Sequence, residues 1–380
     1  MHGLLLQSQG DVAIDSLFND LGMDFFENDI DEVIFQTNQF LTDSTFVGES
    51  GPFWWILQMS MALGALFAII MGAGMGYKML IKGEPFDVLK ILRVFGIGLV
   101  MMYWYGSSGN VLGLLAYIPN AIGSYTKELY NIEAAEVSAR FREVTPLLHK
   151  RDTAYYNKYA EVLVKQEKLA ELERKQNEAQ MNLEDGGTLS HTQEDEFKKL
   201  KKLDLQGAFA GTTIAIDKLV MILSMLFFKV GWWGTMFCQQ LLLGMLTIFG
   251  PIQWAFSLLP KWEGAWAKWI TRYLTVHFYG AMLYFVGFYV LLLFDLSFTI
   301  QFANLKAITQ GSPEIMQYIT TAFQTAGYLL IASIVSLKCL NLVPDLAAWM
   351  IPEGDTAFST RNFGEGVASQ TKQSAMSFIR

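Results

Sequence analysis

Ten carboxylates and no lysine or arginine precede an uncharged run at residues 55–77, and the first basic residue of the chain is Lys78. The acids are Asp11, Asp15, Asp20, Asp24, Glu27, Asp29, Asp31, Glu32, Asp43 and Glu49. The run after them has 23 residues, enough for one helix to cross a hydrocarbon core about 30 Å thick. Such a stretch has few folds open to it. In a bilayer its backbone groups must be satisfied internally, which leaves a helix or a closed barrel. The charge asymmetry orients it, because basic residues of short loops stay in the cytoplasm while acids cross more readily. Residues 1–54 are therefore expected as an acidic extracytoplasmic segment. Residues 1–10 lack a basic n-region, and Leu4-Leu5-Leu6 is too short for a signal-peptide core. The run at 55–77 reads as an ordinary first span.

Composition points the same way. The chain is 52% hydrophobic and only 17% charged, against about 25% in soluble domains. Fourteen of its 28 basic residues lie between Lys127 and Lys202, so one polar insert interrupts an otherwise apolar chain. The expected class is all-α: a polytopic transmembrane helical protein with an inserted extramembrane helical hairpin. A net charge of -8 without a clustered basic face argues against a nucleic-acid-binding surface. Cys238 and Cys339 sit in or beside apolar runs and read as small hydrophobes, not as a disulfide or metal framework.

Residues 55–119 form a first membrane region of two spans. Its connecting loop carries Lys78, Lys82, Lys90 and Arg93 against Glu84 and Asp87, a cytoplasmic sign. Apolar residues run over 94–105, Gly106-Ser107-Ser108-Gly109-Asn110 interrupts them and they resume over 111–118, so either a helix starts near Val88 with Lys90 and Arg93 snorkelling or the span is broken and continues to Pro119. Residues 120–207 are an extracytoplasmic charged helical domain: a long helix after Pro146 over 154–181, a turn at Asp185-Gly186-Gly187, and a short helix over 195–205. Residues 208–340 are a second membrane region of three spans, possibly four. There, 214–250 is either one long helix or two spans turning at Gly231-Trp232-Trp233-Gly234. Spans at 274–294 and 319–337 follow, joined by an external loop over 295–318, and 341–380 is a cytoplasmic tail. Loop charges fit five crossings; six would put the basic loop at 261–272 outside.

Two local patterns single out residues. Gly64, Ala68, Gly72 and Gly76 recur every four positions, a small-residue stripe on one helix face where another helix can approach. Packing within the chain, a subunit contact and a pore lining all remain open for it. The second is an elbow over 250–272. Gly250 and Pro251 end a helix, since proline lacks the amide and clashes backwards. Phe256 follows, and Trp262, Trp266 and Trp269 share one face of a short interfacial helix beside Lys261, Lys268 and Arg272.

No constellation for chemistry emerges. His2, His149, His191 and His277 lack metal-ligand spacing, and neither a phosphate-binding glycine loop nor a nucleophile elbow is present. No catalytic, cofactor-binding or metal residue is expected, and no enzyme. Asp217, Lys218, Lys229, His277 and Asp295 lie near span ends, where snorkelling or pairing accounts for ionisable groups.

The Gly250-Pro251-Ile252 turn with Phe256 behind it and Trp262, Trp266 and Trp269 ahead of the next span resembles the polytopic inner-membrane protein of type IV secretion and conjugation systems. The resemblance is to its TraJ-like branch in conjugative transposons, related to TrbL, and with the topology it extends over most of the chain. It implies a non-enzymatic channel or scaffold component of a conjugative DNA-transfer machine in the bacterial inner membrane, multi-pass with its amino terminus extracytoplasmic. Implied partners are membrane lipid, further copies in a homo-oligomer, the secretion ATPase and the machine's membrane scaffold proteins. Transferred single-stranded DNA and protein substrate would pass through or near it. A small-solute or ion transporter of the inner membrane is the competing class.

Overall fold

The computed structural model describes residues 51, 53–83, 85, 88–105, 111–181, 191–311 and 313–351. The acidic segment at 1–50, the Gly/Ser break at 106–110, the turn at 185–187 and the tail from 352 lie outside the described residues. Seven α-helices and no strand make up the described chain: α1 Trp54–Lys82, α2 Val88–Met102, α3 Val111–Met181, α4 His191–Phe256, α5 Ala265–Gln310, α6 Ile315–Asn341 and α7 Val343–Trp349. A 3₁₀ turn at Pro260–Trp262 leads into α5. α1 stops at Gly83, whose φ of 66° is the left-handed cap conformation open to glycine, and its N–H returns to the Lys78 carbonyl.

Three helical segments are long and apolar enough to cross a membrane: Trp54–Lys82, Pro260–Gln310 and Ile315–Asn341. They contain the expected spans at 55–77, 274–294 and 319–337. Several expectations need correction. α2 starts at Val88, as one reading of the second span has it, but its 15 residues end at Met102, short of the about 20 that span a bilayer, which leaves the broken form of that span. The turn at Gly231-Trp232-Trp233-Gly234 that a sixth crossing needs is not there, because α4 runs straight through those residues. The external loop over 295–318 is mostly helix: α5 continues to Gln310 and α6 starts at Ile315. Boundaries at 119/120 and 207/208 fall inside α3 and α4, so the polar insert continues the helices on either side of it. The sequence there supplies Ala, Glu, Lys, Gln and Leu, which propagate a helix as readily as apolar residues do.

The chain divides into two compact units. Among the described residues, unit one comprises 132–228 and 290–336, and unit two comprises 51–131, 229–289 and 337–351. In unit one, α3 and α4 run antiparallel. Tyr155 donates to the Gly207 carbonyl at 2.5 Å, and Tyr159 to Asp204 at 2.9 Å. α3 and α5 run parallel: Arg140 pairs with Asp295, and further along Lys158 donates to the Pro313 carbonyl. Tyr155, Ala210, Ile214, Ile308, Tyr318, Ile319 and Ala322 close one core from four helices. Gly207 and Gly211 permit this approach, since a Cβ at either would lie closer than 3.0 Å to Tyr159 or Tyr155. Residues read as an external loop and the start of a span thus pack directly on the charged helix α3.

Unit two is fastened by aromatic rings. Tyr130 stacks on Trp232 with centroids 4.7 Å apart, and Tyr284 meets both edge-on. Gly287 lies under this group, where a Cβ would collide with Trp232 and Tyr130. The second aromatic group of this unit surrounds the elbow.

Candidate functional site

The elbow is built around Pro251, which lies within α4 and does not end it; the helix reaches Phe256. This corrects the expected stop at Gly250-Pro251. The physical reason is at Thr247, four residues earlier, whose carbonyl has no amide to accept from because residue 251 is proline. Two side chains replace that amide: Trp104 Nε1 donates to the Thr247 carbonyl at 3.0 Å and Tyr105 Oη at 3.2 Å. Trp269 Nε1 donates to the neighbouring Leu246 carbonyl, also at 3.0 Å. A buried carbonyl without a partner is costly, so these donors allow the helix to continue past proline.

Gly250 supplies the room. A Cβ there would come closer than 3.0 Å to both the Trp104 ring and Trp269 Nε1. Trp104 and Trp269 are fully buried, and their ring centroids lie 4.8 Å apart. Trp254 meets both edge-on, and Tyr273 stacks on Trp269 at 4.9 Å. Phe256 lies against Phe67 of α1 and edge-on to Trp262, while Trp266 leans on Trp254.

The six elbow residues singled out in sequence are therefore brought together within unit two, although the three tryptophans do not share a free interfacial helix. Trp262 closes the 3₁₀ turn, Trp266 and Trp269 open the 46-residue α5, and only Trp262 and Trp266 retain large exposure. Arg93 of α2 ties down the turn by donating to the Ser257 carbonyl and to the carboxylate and carbonyl of Glu263. Sequence reasoning missed Trp104, Tyr105, Thr247 and Arg93. A proline inside an apolar run does pose the question of which donor reaches residue i−4, but not which distant indole answers it.

The helix-packing stripe divides. Gly64 is buried against Met101 of α2 and Ala255 of α4, with a Cβ position 3.5 Å from the Met101 sulfur. Among the described residues, Gly72 and Gly76 have nothing within 4 Å of theirs, and Ala68 lines a groove beside α2.

Unit one holds a second constellation. Arg151, Asp152, Asp217 and Lys218 are all buried. Arg151 bonds Asp152 at 3.0 Å and Asp217 at 2.7 Å, and Lys218 reaches Asp152 at 2.8 Å. Burial pulls the Arg151 guanidinium down, but Asp152 and Asp217 outweigh it and hold it above its ordinary value. The group is formally neutral, and the basic-acidic pair at 151–152 faces the acidic-basic pair at 217–218. Among the described residues, Arg151 Nη2 and Asp217 Oδ1 have no partner. Near Asp204, Tyr159 is pushed up to about 12 by burial and then by the carboxylate it donates to. No group of three or more His, Cys, Asp or Glu is placed to hold a metal ion among the described residues.

Compared with known proteins, the chain matches no family model, no curated protein and no solved structure.

Proposed function

We propose that the chain is a non-catalytic inner-membrane component of a type IV secretion machine for conjugative DNA transfer, oligomerising around or beside the translocation path. The observation that supports this reading is the elbow. The residues that carry the resemblance, Gly250, Pro251, Phe256, Trp262, Trp266 and Trp269, pack as one body around a proline-freed carbonyl. Three helical segments able to cross a membrane give that body a bilayer setting. Secretion ATPase, membrane scaffold proteins, further copies of the chain and passing single-stranded DNA are the partners of this reading.

The test is photo-crosslinking in cells that carry the transfer machine. A photoreactive residue replaces the exposed Leu66 or Ile69 of α1 during active transfer. The reading expects crosslinks to transferring DNA or between copies, and transfer lost when the chain is deleted. Undiminished transfer without the chain sinks it.

One observation favours a solute or ion transporter instead: ionisable groups inside helical bundles often mark transport paths, and Arg151, Asp152, Asp217 and Lys218 are such groups. Liposomes holding the purified chain discriminate the two. Proton or ion flux abolished by Asp217→Asn belongs to the transporter; tight liposomes belong to the secretion component.

A further inference from the structure

Alongside the stripe, α1 and α2 of unit two enclose an apolar groove of about 390 Å³, within the range of about 300–1,000 Å³ typical of ligand cavities. Gly64, Ala65 and Ala68 line it from α1 and Gly98 and Met102 from α2, with Leu258 beside them. Small residues make the groove deep, and the thioether of Met102 adapts to a flexible guest. Among the described residues, a Cβ at Gly98 would meet nothing within 4 Å.

Around Leu258 the chemistry changes. Arg93, next to the lining residue Val94, holds the turn at 257–263. Lys261 extends over the Trp262 ring at 5.5 Å, and Trp262 is 44% exposed. In the stretches 78–93 and 257–272 that Arg93 joins, seven basic residues stand against three acidic ones, in a chain whose net charge is -8. A locally cationic, tryptophan-edged rim above an apolar groove matches an amphiphile with an anionic head.

We propose that this groove binds an anionic diacyl phospholipid, with an acyl chain between α1 and α2 and the phosphate at Lys261, on the turn that Arg93 fastens. The inference rests on the membrane reading above and is independent of the secretion reading. The ammonium donor at the rim selects the charged head over a zwitterionic one. The groove selects a lipid over free phosphate.

Native mass spectrometry of the full chain in detergent tests this, with phosphatidylglycerol and phosphatidylcholine of identical acyl chains added in turn. Phosphatidylglycerol should be retained at least about fivefold better, the preference one basic residue near an anionic head confers. Lys261→Gln should bring the two lipids to near parity without loss of phosphatidylcholine. Gly98→Leu should fill the groove and reduce retention of both. Equal retention by the unsubstituted chain overturns the proposal. So does undiminished phosphatidylglycerol binding by Gly98→Leu, or glycerol phosphate competing as well as the intact lipid. A Gly98→Leu chain that keeps its lipid but loses an oligomer assigns the groove to a second copy and overturns it too. Release of the chain by a carbonate wash of membranes would sink the membrane reading itself, a failure separate from lipid selectivity.

Discussion

Unit two contains all ten tryptophans of the chain, while unit one contains none and is joined instead by charges. The two units solve the same problem, holding long helices in register, with different chemistry. In unit two the helix carries a proline, and the carbonyl it frees at Thr247 and the neighbouring Leu246 carbonyl are met by indoles, which combine an apolar body with one N–H donor. Such a group suits surroundings without water, where any unmet carbonyl is costly. In unit one, Arg151 and Lys218 sit among Asp152 and Asp217. A buried neutral set of this kind contributes little net stability but penalises every misregister that unpairs it. The division also gives separate readouts: indole emission reports unit two, and amide exchange over 132–228 reports unit one.

The largest test breaks the charge set. Arg151→Met leaves two buried carboxylates opposite one ammonium, and removing one partner of a buried pair costs about 3–5 kcal/mol. Amide exchange over 145–225 should accelerate strongly while indole emission keeps its wavelength. Replacing all four residues by apolar ones of similar size should restore most of the protection. If Arg151→Met leaves exchange unchanged, the charges do not fasten unit one.

Next come the two glycines that admit aromatic rings. Gly250→Ala and Gly207→Ala each place a Cβ closer than 3.0 Å to a buried or half-buried ring, and overpacking costs about 1–3 kcal/mol. Gly250→Ala should shift indole emission and lower the unfolding temperature seen by fluorescence. Gly207→Ala should act on exchange in unit one and leave emission alone. Identical signatures for the two would erase the distinction between the units.

A smaller effect isolates the indole that replaces an amide. Trp104→Phe removes one donor from the Thr247 carbonyl, leaving Tyr105, and should cost about 1 kcal/mol beyond the change in packing. Pro251→Ala restores an amide to that carbonyl. In the Pro251→Ala background the Trp104→Phe cost should therefore shrink, a coupling readable from a double-mutant cycle of unfolding temperatures. Additive effects would mean that the indole packs but does not satisfy the carbonyl.

The helical class and the apolar segments at 55–77, 274–294 and 319–337 were legible because length and absence of charge are local properties. Helix ends were not. Pro146 and Pro251 both stand inside helices, and whether a proline stops a helix depends on a donor brought from elsewhere in the chain. The loop expected at 295–318 failed for a related reason. Asp295 looked like a span boundary, but it pairs with Arg140, and the helix continues. The elbow residues were visible as a motif, whereas Trp104 and Arg93, which complete it, lie more than 140 residues away in sequence. The charge set left a faint trace: Arg151-Asp152 and Asp217-Lys218 are neighbouring opposite charges in reversed order, which suits antiparallel helices.

The finest test concerns acid. Glu133 is largely buried in unit one, and burial, then Glu136 and Asp295, push its carboxyl above the ordinary 4.5. A carboxyl with a raised native value holds its proton where the unfolded chain has lost it. Its contribution to stability is therefore fully present below about pH 4.5 and is lost as pH rises through the native value. Glu133→Gln removes that loss. The variant should unfold at a higher temperature than the parent at neutral pH, and the two should converge in acid. Because the indole bonds at Thr247 and Leu246 involve no group that titrates in this range, the difference should register in amide exchange over 132–228 and not in the indole emission of unit two. Parallel pH profiles for parent and variant would remove Glu133 from the forces acting on unit one, leaving Arg140 and Asp295 as a pair that its charge does not disturb.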